Sequence, residues 1–528
     1  MLFLCSILYH LYSIPWYTFL MQFLIDIGLS LIYLASFLLL CAWSWRFWMM
    51  YVQQKAMAKI KWLMLEIKLP REITKSPLAT EVALASLLQG GGVANSYSRI
   101  FRGNLPVYSS LEIASLEGVI HFYIRIQERF RPLVEANFYA QYPGIEIVEA
   151  DDYTQSIRYH HLAKSVSLWG ATFYTSKKWK PVDLKTGKEY EKDGKPYEMK
   201  ADFLPIKTYV DYGLDKDPKE EYKTDPITTL LEVMGGIGKG EYFWYQILVQ
   251  DEGVYNGKKM PKFYVNEVAH EHVSLRDMAD KFKKQKRTSH YIKHGDVALT
   301  DYGYEQTRKV QDGVDENGKP KTKDVLLTYN LKDKDIAKAV GKKEIELTFE
   351  EKEELEAVNK KFSKPLALCV LRLLYVSKKE NFKPAQIQNV LSFPKPFNGI
   401  NSFAFTTTEP YDYPWQNVGG KRVAWRSEEM FEEYVEREGF YPHVTKRKSL
   451  DSWEDVVFWA SSMKQRKIFR MFYEAIFHPF DHPHADDAFT LNLEELATLW
   501  HLPGAVAGTP TLPRIDSTKG VAPVNLPM

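Results

Sequence analysis

Three groups of side chains in this 528-residue chain have types and spacings that chemistry uses. Gly235-Gly236-Ile237-Gly238-Lys239-Gly240 has the glycine density and the lysine of a phosphate-cradling loop, in which backbone amides and an ammonium bind phosphate oxygens. The spacing fails: the glycine required five places before Gly238 is Val233, and the hydroxyl required after Lys239 is Gly240. Its context runs helix, loop, strand where a phosphate loop needs strand, loop, helix, so the stretch reads as a helix C-cap and turn. His478, His482 and His484, with Asp481, Asp486 and Asp487, offer ligands to a divalent metal and hence a metal-dependent hydrolase. No HExxH-like scaffold surrounds them, and a polar loop is the plainer reading. His270-Glu271-His272 is weaker still, as are His290 and His294, which share one face only if the segment is helical. There is neither a Gly-x-Ser-x-Gly elbow nor a cysteine with a partner histidine for nucleophilic catalysis. The residues therefore assign no catalytic, cofactor or metal site.

Nucleic-acid contact has more support. Lys281, Lys283, Lys284, Lys286 and Arg287 form one basic run. Lys446, Arg447 and Lys448, with Lys464, Arg466, Lys467 and Arg470, form a second region interleaved with Trp453, Phe458, Trp459, Phe469 and Phe472. Phosphate contact combined with stacking is what single-strand binding uses. The competing reading is an amphipathic helix whose aromatic face is buried. Charge favours the latter: the formal net charge is only +2, and it comes entirely from Arg46, Lys55 and Lys59 against Asp26 in the first 60 residues.

Those 60 residues are the first of the positioning elements. From Met1 to Trp45 the one formal charge is Asp26, and Ile27–Trp45 has none, which is the length of a membrane-spanning helix with Trp16–Ile25 as a further apolar flank. Pro15 and Trp16 mark an interfacial break, leaving Met1–Ile14 at the surface or as a second short insertion. A cleavable signal peptide fits less well, for want of a basic leader and a small-x-small site. Arg46, Lys55, Lys59 and Lys61 follow the span and no basic residue precedes it, which orients the body toward the cytoplasm and makes this a single-pass inner-membrane protein. Asp26 lies at the outer end of that span, where a carboxylate reaches the headgroups. Cys5, Cys41 and Cys369 form no disulfide framework, in keeping with a reducing compartment.

The body reads as α+β and duplicated. Strand Trp62–Leu69, a helix opened by Ser76-Pro77, strands Leu111–Ser115 and Val119–Ile126, a helix from Phe130 and strand Ile145–Glu149 follow the β-α-β-β-α-β order of a ferredoxin-like fold. Strand Val166–Tyr174, helix Pro226–Met234, strands Tyr242–Val249 and Leu366–Val376, helix Pro384–Leu391 and strand Ser402–Phe405 repeat it. Glu128-Arg129-Phe130-Arg131-Pro132 in one copy matches Glu380-Asn381-Phe382-Lys383-Pro384 in the other, and Gly144-Ile145 matches Gly399-Ile400. The expected organisation is therefore an anchor (1–60), a first ferredoxin-like domain (61–160) and a second (161–410) with insertions 177–223 and 251–364. The longer insertion is expected to be a mostly helical arm. A mostly helical region (411–504) and a tail with four prolines (505–528) follow.

Several stretches together resemble the membrane-attached N-terminal region of conjugation-type, coupling-protein-like DNA-pumping ATPases of type IV secretion systems. They are Phe203–Leu214 (FLPIKTYVDYGL), Asp225–Gln250, Tyr411–Gln416 (YDYPWQ), Leu491–Gly504 (LNLEELATLWHLPG), then TPTLPRIDS and a closing NLP. In such proteins a motor domain follows that phrase, whereas this sequence ends at Met528, so no nucleotide-binding residue carries over. The resemblance implies a non-enzymatic scaffold or assembly component beside a separately encoded ATPase, with direct DNA contact and oligomerisation as further possibilities.

Overall fold

The computed structural model describes residues 16–88, 97, 101–103, 106–182, 190–215, 225–251, 264–266, 271–294, 297–300, 303–314, 320–330, 348–409, 420–440, 488–504 and 512–515, apart from 71, 72, 74, 158, 160–164, 193 and 194. They fall into two compact units. The first comprises the described residues of 1–60 and 93–105. Its helix α1 (Trp16–Met57) starts directly after Pro15 and runs 42 residues. Leu20–Leu38, with mean hydropathy 1.8 and none of it buried, makes this the one helix among the described residues long and apolar enough to cross a membrane. This window starts before the uncharged run, so Asp26 falls within it rather than at its end.

The second unit is built on one antiparallel sheet. Its first half has strands β1 (Trp62–Pro70), β2 (Tyr108–Leu116), β3 (Val119–Gln127) and β4 (Glu146–Ala150), with helices α2 (Pro77–Leu84) and α3 (Arg131–Gln141). The other half has β5 (Val166–Thr175), α4 (Pro226–Gly235), β10 (Glu241–Asp251), β16 (Leu366–Lys378), α7 (Ala385–Ser392) and β17 (Phe403–Thr407). The strand order is β17-β5-β16-β10-β2-β3-β1-β4. Within each half it reads fourth, first, third, second. The halves join through their equivalent second strands, β2 and β10, paired antiparallel over Leu116↔Tyr242 to Tyr108↔Gln250 with Glu112↔Gln246 at the middle. Equivalent strands meeting antiparallel relate the halves by a local two-fold axis through that pair. Each matched pentapeptide overlaps a 3-10 turn (Glu128–Phe130 and Lys379–Asn381), one residue out of register between the two, after the third strand and before a helix.

Alternation along the strands separates two faces. Leu65, Ile67, Ile113, Phe122, Ile124, Ile247 and Leu371 face the helices of the repeats, which close the main core. Met64, Ala114, Tyr123, Trp244 and Leu374 face the other way, where Met430, Phe431 and Tyr434 of α8 (Lys421–Val435) cover them.

One of the two insertions departs from expectation. The shorter carries four two-residue strands, β6 (Lys178–Trp179), β7 (Glu191–Lys192), β8 (Lys195–Pro196) and β9 (Met199–Lys200). The longer is not mostly helical: among its described residues β11 (Tyr264–Asn266), β12 (Glu271–Val273), β13 (Val297–Thr300), β14 (Gly303–Val314) and β15 (Pro320–Asn330) stand beside helices α5 (Leu275–His294) and α6 (Phe349–Phe362). The cause is legible in residue types. Thr307, Val310 and Val314 precede Asn317-Gly318, and Thr322, Val325, Leu327 and Tyr329 follow, a β-branched alternation about a hairpin dipeptide.

The C-terminal stretch also differs from a separate helical region and a tail. Phe489–Asn492 forms β18 on β16, helix α9 (Leu493–Leu499) follows, and Arg514–Ile515 forms β19, parallel to the end of β1. Apolar burial decides this, since Phe489, Leu491, Leu496, Leu499, Trp500 and Leu512 all lie in the main core.

Candidate functional site

Helix α9 gathers more of the distinctive sequence than any other element. Its start is a reciprocal capping box: Asn492 Oδ1 accepts from Glu495 N at 2.8 Å, and Glu495 Oε2 accepts from Asn492 N at 2.7 Å. Trp500, just beyond the helix, packs edge-on against Phe122 and Phe138, and Tyr245 of β10 donates its hydroxyl to Leu499 O at 3.0 Å. Trp500 Nε1 also reaches Glu112 O of β2 at 3.5 Å, so the end of this short helix meets both strands that flank the local axis.

Segment 203–214 wraps this helix. Ile206 N donates to Glu495 Oε1 at 2.8 Å, Thr208 Oγ1 to Glu494 Oε1 at 2.6 Å and Tyr209 N to Thr498 Oγ1 at 2.9 Å. Lys361 of α6, fully buried, places its ammonium 2.8 Å from Thr490 O and 3.1 Å from Glu495 Oε2. Lys364 bridges Glu81 of α2 at 2.7 Å and Glu494 at 2.9 Å. Burial works against its charge, but these two carboxylates outweigh that and hold the amine above its ordinary value.

The third segment enters through a buried histidine. His501 Nε2 lies 2.9 Å from Asp225 Oδ2 and Nδ1 lies 2.9 Å from Ala497 O. A carboxylate and a carbonyl only accept, so both ring nitrogens carry protons and His501 is a cation. Burial opposes that charge, and Asp225 overcomes it, holding the imidazole above 6.5. Asp225 also caps α4 by accepting from Ile227 N at 3.1 Å. A raised histidine contributes stability that is complete below its ordinary value of 6.5 and is lost as pH rises through the folded-state value. Thermal unfolding of the full chain in detergent is expected to move to lower temperature over that alkaline range. His501→Gln, which donates to Asp225 without titrating, should remove that movement; coincident profiles for the two proteins would contradict the assignment.

On the opposite face a second polar cluster lies at the local axis. Arg437, following α8, donates from Nε and Nη2 to Glu112 at 3.0 and 3.2 Å and from Nη2 to Asp152 at 2.9 Å. Glu112 also accepts from Tyr153 Oη at 2.7 Å, from Gln246 Nε2 at 3.1 Å and from Ser110. Burial alone would keep Glu112 protonated, yet Arg437 holds it below the ordinary carboxylate value.

The glycine-rich turn is occupied by the protein's own carboxylates. Gly238 N donates to Glu241 Oε2 at 2.6 Å and Gly240 N to Glu117 Oε1 at 3.0 Å, so two amides that a phosphate would need are already used. In the basic run on α5, Phe282 is buried, Lys283 bonds Asn359 at 2.6 Å and Lys286 pairs with Glu354 at 2.8 Å, while Lys281 and Lys284 are exposed. His290 and His294 fall on the same helix. Lys446, Arg447, Lys448, Lys464, Arg466, Lys467 and Arg470 lie outside the described residues, as do His478, His482 and His484. Among the described residues no cluster of metal-ligating side chains is present.

Residue types alone did not point to Glu112, Asp152, Arg437, Lys361 or the His501–Asp225 pair. One signal was present, the Asn492 and Glu495 cap, but it indicated a helix start and not the partners it would have. No family model, curated protein or solved structure matches the chain.

Proposed function

We propose that this protein is a membrane-anchored, non-enzymatic scaffold or assembly component of a conjugation-like type IV secretion or DNA-transfer machine, working with a conjugation-type motor ATPase. One observation carries the reading: segments 203–214, 225–250 and 491–504, the last more than two hundred residues beyond the other two and all chosen by their resemblance to such machines, form a single packed unit around α9. Their charged groups are spent on buried pairs, His501–Asp225 between two of the segments and Glu495–Lys361 and Glu494–Lys364 with the end of α6 and the residues after it, which suits a part that holds shape. Each half is read as a ferredoxin-like unit, supported by its element order and its fourth-first-third-second strand order. Such a pair offers sheet edges and helix faces for docking neighbours. The basic residues that follow the apolar helix support reading the body as cytoplasmic, at the inner membrane.

The test is retention of a motor ATPase encoded beside this protein when the full chain is purified in mild detergent. Co-purification is the expected result. Its absence, together with salt-sensitive retention of DNA by the chain alone, would replace this reading with a DNA-binding membrane protein, since phosphate contacts weaken steeply as salt rises.

A further inference from the structure

Helix α1 does not stop where its most apolar window stops. It continues from Leu38 to Met57, roughly 28 Å at about 1.5 Å per residue. The first basic residue after the apolar run is Arg46, and a permanent positive charge marks where a helix leaves hydrocarbon for headgroups. At this level the helix meets a second piece of chain, drawn from between α2 and β2. The Trp45 ring lies edge-on to Phe101 at 6.4 Å, and Phe101 lies 5.0 Å from Tyr97. Trp48 and Tyr51 continue the aromatic set along the helix at 6.4 Å, and the Lys55 ammonium lies 5.8 Å from the Tyr51 ring centre.

The contact is a tight one. Gly103 has φ +70°, and a Cβ there would clash with Val52 O and lie 2.9 Å from Ala56 Cβ. Only glycine allows both that backbone angle and that approach. Yet the aromatic side chains stay open, with Tyr97 60% and Phe101 52% exposed beside Trp48 at 50% and Tyr51 at 58%. Aromatic rings with an apolar body and a polar edge are suited to the headgroup layer, where both find partners.

We infer that Tyr97 and residues 101–103 form a second membrane-contacting element, which lays Tyr97 and Phe101 into the headgroup layer of the bilayer that α1 crosses and is clamped to α1 at Gly103. The occupant of this aromatic surface is lipid, because the surface continues the lipid-facing side of the helix at the depth its charges define. The inference rests on reading Leu20–Leu38 as a membrane span.

Nitroxide labels on the full chain in vesicles of phosphatidylcholine and phosphatidylglycerol test it, with the native cysteines replaced. Labels at Tyr97→Cys and Phe101→Cys are compared with Leu31→Cys inside the span and Glu146→Cys on the exposed edge of the sheet. The expected ratio of oxygen to nickel-chelate accessibility at 97 and 101 lies between the two controls and several-fold above that of Glu146→Cys. A ratio equal to Glu146→Cys, or labels shielded from both reagents as in a protein contact, overturns the inference while leaving the span intact. If Leu31→Cys also behaves as water-exposed, the span itself is overturned. Gly103→Val is expected to release the segment, raising label mobility at 101 and lowering its oxygen preference; no change in either would contradict the clamp.

Discussion

Arg437→Ala is expected to destabilise the sheet unit by about 3–5 kcal/mol, the usual cost of leaving one member of a buried ion pair without its partner. Glu112 is fully buried and would keep only neutral donors, Ser110, Tyr153 and Gln246, against a full negative charge. Asp152, nearer the surface, would suffer less. The site also joins elements far apart in the chain, since Arg437 follows α8, Glu112 is on β2 and Asp152 follows β4, so the loss should detach α8 from the sheet. The pH dependence distinguishes this cause from lost packing. In the intact protein Arg437 helps hold Glu112 below 4.5 and Asp152 below 3.8, so their stabilisation is complete above those values and is lost as pH falls through the folded-state values. In Arg437→Ala burial acts on Glu112 against neutral hydrogen-bond donors only and raises it, so stability should instead increase as acid protonates the carboxyl. Thermal melts of both proteins in detergent across the acidic range measure this. Equal slopes would refute the electrostatic account, and Arg437→Ala/Glu112→Gln should recover part of the loss at neutral pH.

Lys361→Met is the second large effect, again about 3–5 kcal/mol. Its ammonium and the Glu495 carboxylate are both fully buried and 3.1 Å apart. Methionine fills the space of the lysine stem but leaves Glu495 with only the amides of Ile206 and Asn492, and removes the ammonium that donates to Thr490 O. Glu495→Gln should cost less, because glutamine still serves the capping box. The double variant is expected to be more stable than Lys361→Met alone, the signature of coupling between neighbours. Hydrogen exchange adds a spatial readout: Lys361→Met should speed exchange in α6 and in segment 203–209 together. Faster exchange in α6 alone would show that the lysine does not join the insertion to α9.

What residue order decides and what it leaves open follows a physical line. Strands such as Val119–Gln127 were legible because an alternating pattern meets two different environments over a few residues. The recurring element order was legible because two matched pentapeptides each meet a 3-10 turn after a strand and before a helix. The hairpin Gly303–Asn330 was equally local, but the charged run beside it favoured a helical arm. Leu491–Gly504 was legible as a capped helix, although nothing near it in sequence shows that it belongs on the central strands. Pairs such as Arg437 with Glu112, 325 residues apart, and His501 with Asp225, 276 apart, have no local signature. Each carries a charge whose burial is tolerable only opposite its partner, and that opposition arises only once the sheet has closed through β2 and β10. The sequence by itself determined an apolar N-terminal helix, a charge-balanced body and two successive β-α-β-β-α-β runs, because hydrophobic periodicity and turn chemistry act over short separations. The joining of those runs into one sheet, and the partners of the buried charges, were decided by tertiary structure alone, because desolvation is set by what the rest of the chain places overhead.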